Sequence, residues 1–123
     1  MIRAVLIVGM VAAASPTAAQ ESQALAGDLV KGCEAVAANV ADTDDTAAGL
    51  SAPLKQAADQ CVQVTQALIS EGTQSGICPQ KLPVANMLAA GAVVFYLFDA
   101  PADMQQPFSE VAKKALQRSF PCK

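Results

Sequence analysis

The side chains with the most distinctive chemistry in this chain are four cysteines, Cys33, Cys61, Cys78 and Cys122. A cysteine can serve as a nucleophile, a metal ligand or half of a disulfide, and its neighbours decide which. A nucleophilic thiol needs a base. The chain contains no histidine, so neither a Cys-His pair nor a Ser-His-Asp triad can be assembled. A zinc site favours histidines or closely spaced cysteine pairs, and no CxxC pair is present. An even number of cysteines in a short exported chain reads instead as a disulfide framework. Cys122 stands directly after Pro121, beside the last residue of the sequence. Chain ends ordinarily fray, so a cysteine there points to a terminus that is tied down.

The remaining polar groups offer little catalytic material. Asp42, Asp44 and Asp45 sit close together, but the glycine and the distal glutamate of a calcium loop are missing, and an acidic solvated loop is expected. No Gly-rich phosphate loop is present. Paired carboxylates can hydrolyse sugars, yet such sites usually carry aromatic rings for stacking, and the chain has no tryptophan and one tyrosine. The expectation is a protein that is not an enzyme, takes no cofactor or metal, and works by binding.

Export is read from the first twenty residues, MIRAVLIVGMVAAASPTAAQ. Arg3 supplies a positive start, Ala4 to Ala14 is an unbroken apolar run, and Thr17-Ala18-Ala19 offers small residues at a cleavage site. This is the pattern of a secretory signal peptide, and the run is too short to span a bilayer about 30 Å thick. Residues 1–19 are therefore assigned to the signal and residues 20–123 to one mature domain in the periplasm. Losing Arg3 leaves seven basic and eleven acidic residues, a net charge of −4. No basic stripe suggests nucleic acid.

The elements that must position the cysteines are helical. From Ser22 to Val40, the residues Leu25, Leu29, Val30, Cys33, Val36, Ala37 and Val40 share one helical face. Gly27 and Gly32 weaken that helix modestly. ADTDDTAAGLS is a loop, after which Ser51 is an N-cap and Pro53 suits the first turn of a helix reaching about Ser70. Its inner face is predicted as Leu54, Ala57, Cys61, Val64 and Leu68. Pro83 opens a third helix to Phe98 that is apolar nearly all round, and such a helix is buried or faces a partner. Leu82 to Phe98 is short for a membrane span and includes Asn86. Pro107 starts a fourth helix with Phe108, Val111, Ala112, Ala115 and Leu116 on one face, and Pro121 stops it. The fold class is all-α, a compact four-helix domain stapled by two disulfides.

Four cysteines allow three pairings, and helix geometry favours one. If helices 1 and 2 form an antiparallel hairpin, Cys33 and Cys61 sit at nearly the same height at 1.5 Å per residue. If helices 3 and 4 do likewise, Cys78 before helix 3 meets Cys122 after helix 4. The expected bonds are Cys33–Cys61 and Cys78–Cys122. In the chain-entropy model, loops of this size are worth about 3.5–4 kcal/mol each.

The second half carries a resemblance. Cys78-Pro79, an apolar helix from Val84 to Leu97, Ala100-Pro101, and the closing run Ala115-Leu116-Gln117-Arg118-Ser119-Phe120-Pro121-Cys122 resemble the Rap/Tai family. That family consists of periplasmic immunity proteins that protect bacteria from type VI secretion peptidoglycan amidases. One cysteine in each of the first two helices fits the same pattern, and the resemblance covers roughly Leu25 to Cys122. Val64 and Ala67 stand where the family tends to carry an aromatic residue and a glycine. The resemblance implies a disulfide-stapled, often dimeric protein that binds an amidase toxin and blocks its cleft. The alternative is a small periplasmic disulfide-bonded chaperone or stress protein, or an orphan envelope protein.

Two surface expectations follow. Met87, Leu88, Val94, Phe95, Leu97 and Phe98 give helix 3 more apolar perimeter than one small core can cover, which predicts a homodimer through part of this helix. The loop Asp99 to Gln106 lies between helix 3 and Pro107 and is stiffened by Pro101, so little ordering entropy is lost on binding. Asp99, Asp103, Met104, Gln105 and Gln106 are the expected toxin-facing residues.

Overall fold

The computed structural model describes residues 24–38 and 50–123. The predicted signal segment and the acidic loop holding Asp42, Asp44 and Asp45 lie outside the described residues. Among the described residues there are four α-helices: α1 (Ala26–Ala37), α2 (Ala52–Glu71), α3 (Asn86–Asp99) and α4 (Phe108–Ser119). Short 3-10 turns follow α2 (Gly72–Ser75) and α3 (Pro101–Gln105). Among the described residues there is no β-strand, and no helix is long and apolar enough to cross a membrane.

Both expected disulfides are present. Cys33 and Cys61 pair across α1 and α2 with Cα atoms 5.5 Å apart, and Cys78 pairs with Cys122 at 5.0 Å; both separations suit the bond. The first pair is fully buried, whereas Cys122 is exposed. α2 begins as expected: Ser51 caps it by accepting a hydrogen bond from the Leu54 backbone N–H at 3.3 Å, and Pro53 occupies the first turn. Gly72, at φ 59°, ends it, a conformation that glycine adopts without penalty.

α1 packs against α2 and α3. Its contact with α2 is closest at Gly32, where an added Cβ would lie 2.3 Å from the Ala57 carbonyl carbon and 2.4 Å from the Ala58 nitrogen. The two backbones meet with no room for a methyl group. This contact also turns α2 relative to the face read from its sequence. Ala58, Cys61, Thr65 and Ile69 are buried, while Leu54, Ala57, Val64 and Leu68 are only half-buried. Thr65 escapes a hydrophobicity pattern, because its hydroxyl is satisfied within the helix by the carbonyls of Cys61 (2.8 Å) and Val62 (3.2 Å).

Neither α1 nor α4 has a capping side chain at its start. The segments before them cap each other instead. Ala26 N–H donates to the Gln106 carbonyl at 2.8 Å, and Phe108 N–H donates to the Ala24 carbonyl at 2.6 Å. Orphan N–H groups at two helix starts are thus satisfied by one antiparallel exchange. α4 buries Phe108, Val111, Ala112, Ala115 and Leu116, the face its spacing predicts.

α3 starts at Asn86, three residues later than Pro83 suggests. Residues before it are committed elsewhere: the Gln66 amide donates to the Val84 carbonyl at 3.0 Å and to Asn86 Oδ1 at 2.9 Å, and the Val84 side chain is buried. A second small core gathers here, from Ile69, Ile77, Val84, Ala89, Ala92 and Leu116. Leu116, late in α4, shares this second core with Ala89 and Ala92 in the first half of α3. Arg118, in the last turn of α4, extends along α3 to pair with Asp99 at 2.9 Å. The residues after α4 bring the chain end to Cys78, whose N–H donates to the Phe120 carbonyl at 2.7 Å.

Candidate partner-binding surfaces

The first candidate surface is the connection from α3 to α4. Sequence spacing marks it as a loop, and Pro101–Gln105 forms a compact 3-10 turn. Tyr96, on α3, donates its hydroxyl proton to Asp103 Oδ2 at 2.7 Å. This bond raises the Tyr96 pKa above its ordinary value; desolvation and the Asp103 charge act in the same direction, and Arg118 opposes them. The Arg118 guanidinium lies 5.9 Å from the centre of the Tyr96 ring. Met104 packs against the main core, and its carbonyl lies 3.1 Å from where a Cβ on Gly27 would stand. Gln106 contributes its carbonyl to the start of α1.

The five residues expected to face a partner therefore divide. Gln105 and Gln106 expose their side chains. Asp99 is exposed and paired with Arg118, an arrangement of little energetic weight at the surface. Asp103 and Met104 are half-buried and brace the turn from beneath. Pro101 and Ala102, beside the glutamines, are also exposed. The result is a stiff polar projection held at Tyr96, at the core and at the start of α1.

The second candidate surface is α3 itself, and its packing inverts the usual order of sizes. The alanines turn inward: Ala89, Ala90, Ala92 and Val93 are buried together with Leu97. The large side chains turn outward, with Phe95 78% exposed, Phe98 85%, Leu88 60% and Met87 42%. Of the six residues read as surplus apolar perimeter, Leu97 is buried and Val94 half-buried. Gly91 lies within the exposed face, and a Cβ placed on it would meet nothing within 4 Å.

This face runs into a groove of about 850 Å³ beside the Cys78–Cys122 bond. Pro79, Pro83, Val84, Leu88, Phe120 and Pro121 supply most of its apolar lining, with Lys81 and Lys123 also present. Leu82 stands nearby, 72% exposed. The groove was not legible in the sequence, because it forms where the segment before α3 meets the segment after α4. Among the described residues, no group of three or more His, Cys, Asp or Glu side chains is placed to hold a metal ion. In comparisons with known proteins, no family model, curated protein or solved structure matches the chain.

Proposed function

We propose that this protein is a periplasmic immunity protein that binds a secreted peptidoglycan amidase toxin and blocks its cleft. The observation that supports this reading best is the braced turn Asp99–Gln106. An inhibitor of a cleft needs a projection that arrives already shaped, since ordering a flexible loop on binding subtracts from affinity. Here Tyr96, Met104 and the exchange between Gln106 and Ala26 hold the turn, leaving Gln105 and Gln106 outward. Their amides can both donate and accept hydrogen bonds, which suits the mixed polar groups of an amidase cleft. The two disulfides and the resemblance to the Rap/Tai family point the same way.

The experiment is titration of a peptidoglycan amidase encoded beside this chain with the disulfide-bonded protein. Stoichiometric inhibition is expected. Gln105→Lys combined with Gln106→Lys should weaken inhibition at least about tenfold while leaving the melting temperature unchanged. Inhibition lost instead through changes at Asp44 and Asp45, with the glutamine variant fully active, would move the site to the acidic loop.

One observation favours the alternative, a disulfide-bonded chaperone. The exposed face of α3 is the kind of apolar surface that captures unfolded chains. Suppression of aggregation of a reduced, unfolding client distinguishes the two: an immunity protein gives none at equimolar ratio.

A further inference from the structure

We infer that the outward face of α3 docks on the surface of an anionic lipid bilayer. The helix lies flat in the interface, with its apolar stripe among the lipid chains and the cations at its two ends against the headgroups. The inference does not rest on the immunity reading.

The stripe has the size and shape for this. Met87, Leu88, Gly91, Val94, Phe95 and Phe98 recur at the spacing of one helical face, and Leu82 stands exposed before the helix start. At the exposures above, Phe95, Phe98, Leu88, Met87 and Leu82 offer on the order of 600–700 Å² of apolar surface, taking roughly 150–250 Å² for each large side chain. The largest apolar patch on a typical monomer is about 300–600 Å², and larger ones mark contact with a protein or a membrane. α3 has 14 residues and is about 21 Å long. That is too short to cross a hydrocarbon core about 30 Å thick, but a helix lying in the interface needs only to sink its apolar face about 5–10 Å.

No polar side chain on the stripe has to lose water on entry. Between Asn86 and Asp99 the helix carries one polar side chain, Tyr96, and its hydroxyl is turned to Asp103. The backbone groups in the middle of the stripe are bonded within the helix, as the apolar side of a bilayer requires.

Charge selects an anionic bilayer as the occupant. Residues 20–77 hold eight acidic and two basic side chains, a net charge of −6, whereas residues 78–123 hold three acidic and five basic, a net charge of +2. The basic groups bracket the stripe. Lys81 and Lys123 share the groove with Leu88 near the start of α3. At the other end Arg118 lies over the Tyr96 ring and offsets Asp99, the acid that follows Phe98. Lys114, also exposed, stands one helical turn before Arg118 on α4. The acidic Asp28 and Glu34 belong to α1, which packs on the inner side of α3 with Ala90, Val93 and Leu97, so they lie away from the stripe. Each Lys or Arg held near an anionic leaflet strengthens attachment about fivefold.

The test is co-sedimentation of the disulfide-bonded protein with vesicles of equal parts phosphatidylglycerol and phosphatidylcholine, and with vesicles of phosphatidylcholine alone. Wild type is expected on the anionic vesicles and at least about twentyfold weaker on the neutral ones. Phe95→Ser combined with Phe98→Ser should weaken attachment at least about thirtyfold. Lys81→Gln combined with Lys123→Gln should reduce the preference for anionic vesicles at least about tenfold. Gly91→Leu adds an apolar side chain at the centre of the stripe, in space its own chain leaves open, and should tighten attachment at least about fivefold. All three variants should keep helical circular dichroism, because none of these positions contributes to the core. A wild type that stays in solution with both vesicles overturns the inference, including one that pairs with a second copy or binds an amidase through this face instead. Equal attachment to both vesicles overturns the part assigned to the cations. Attachment unchanged in the phenylalanine variant, or weakened by Gly91→Leu as a fitted protein interface would be, overturns the assignment to α3.

Discussion

Two glycines in helices should respond in opposite ways to the same substitution, and Gly32 is the more informative. In Gly32→Ala the new methyl carbon would lie 2.3 Å from the Ala57 carbonyl carbon, 2.4 Å from the Ala58 nitrogen and 2.6 Å from the Ala57 oxygen. Carbon atoms in comfortable contact stand about 3.5–4.0 Å apart, so α1 and α2 must separate by more than about 1 Å at this point. The neighbouring residue, Cys33, is bonded to Cys61, which restricts the simplest movement. The clashing atoms belong to backbone, so no side chain can swing away. Overpacking of this kind costs about 3 kcal/mol, the upper part of the usual range, and better helix propensity returns about 1 kcal/mol. The net loss of about 2 kcal/mol corresponds to a melting temperature lower by about 8–16 °C for a domain of this size. Gly91→Ala meets open space and gains only the propensity, so it should melt about 4–8 °C higher. The assay is thermal unfolding by circular dichroism with both disulfides intact, at concentrations low enough to keep the chains monomeric. A Gly32→Ala variant melting within about 2 °C of the parent would refute the close crossing of α1 and α2.

Further outcomes are expected. Peptide mapping of oxidised protein should recover Cys33–Cys61 and Cys78–Cys122. Under graded reductant the exposed Cys78–Cys122 bond should open first, because thiolate attack needs access, with Cys33–Cys61 following only on unfolding. Removing the Cys78–Cys122 bond by a double serine substitution should lower stability by about 4 kcal/mol in the chain-entropy model; an unchanged melting temperature would show that the terminus needs no tie. Tyr96 is the only tyrosine, so phenolate absorbance reports it alone. Its titration midpoint should lie above the ordinary phenol value of 10.0 and fall toward it in Asp103→Asn. Since the folded state holds this proton more tightly than the unfolded chain, the associated stability is complete below pH about 10 and is lost as pH rises through the higher folded value.

The sequence was most legible where one local signal acted alone. Ser51 and Pro53 mark the start of α2, and the spacing of Phe108 to Leu116 marks the inner face of α4. Helix heights predict the Cys33–Cys61 pair, and the places of Cys78 and Cys122 before and after the second pair of helices predict the other. Features set by long-range contact were hidden. Gly32 reads locally as a weakness in α1 and acts as the contact point for α2. Thr65 reads as polar and is buried, because the helix satisfies its hydroxyl. Pro83 looks like a helix start, yet Gln66 engages the residues after it. The α3–α4 connection was recognisable as stiff from Pro101, but not the bonds that divide its residues: Asp103 and Met104 serve the turn itself, and Gln105 and Gln106 are left outward. In α3 a uniformly apolar sequence gives no direction. Only the packed structure reveals that its alanines face the core and its phenylalanines face away.

In the proposed role, this protein protects a cell wall by binding the enzyme that cuts it. It is tested by survival of cells that export a candidate peptidoglycan amidase to the periplasm, with and without this chain exported alongside. Survival is expected only when the chain is present, with protection reduced by Gln105→Lys combined with Gln106→Lys and with the purified pair forming a stable complex. Lysis at the same rate in both strains, with folded and disulfide-bonded chain confirmed in the periplasm, would rule that role out.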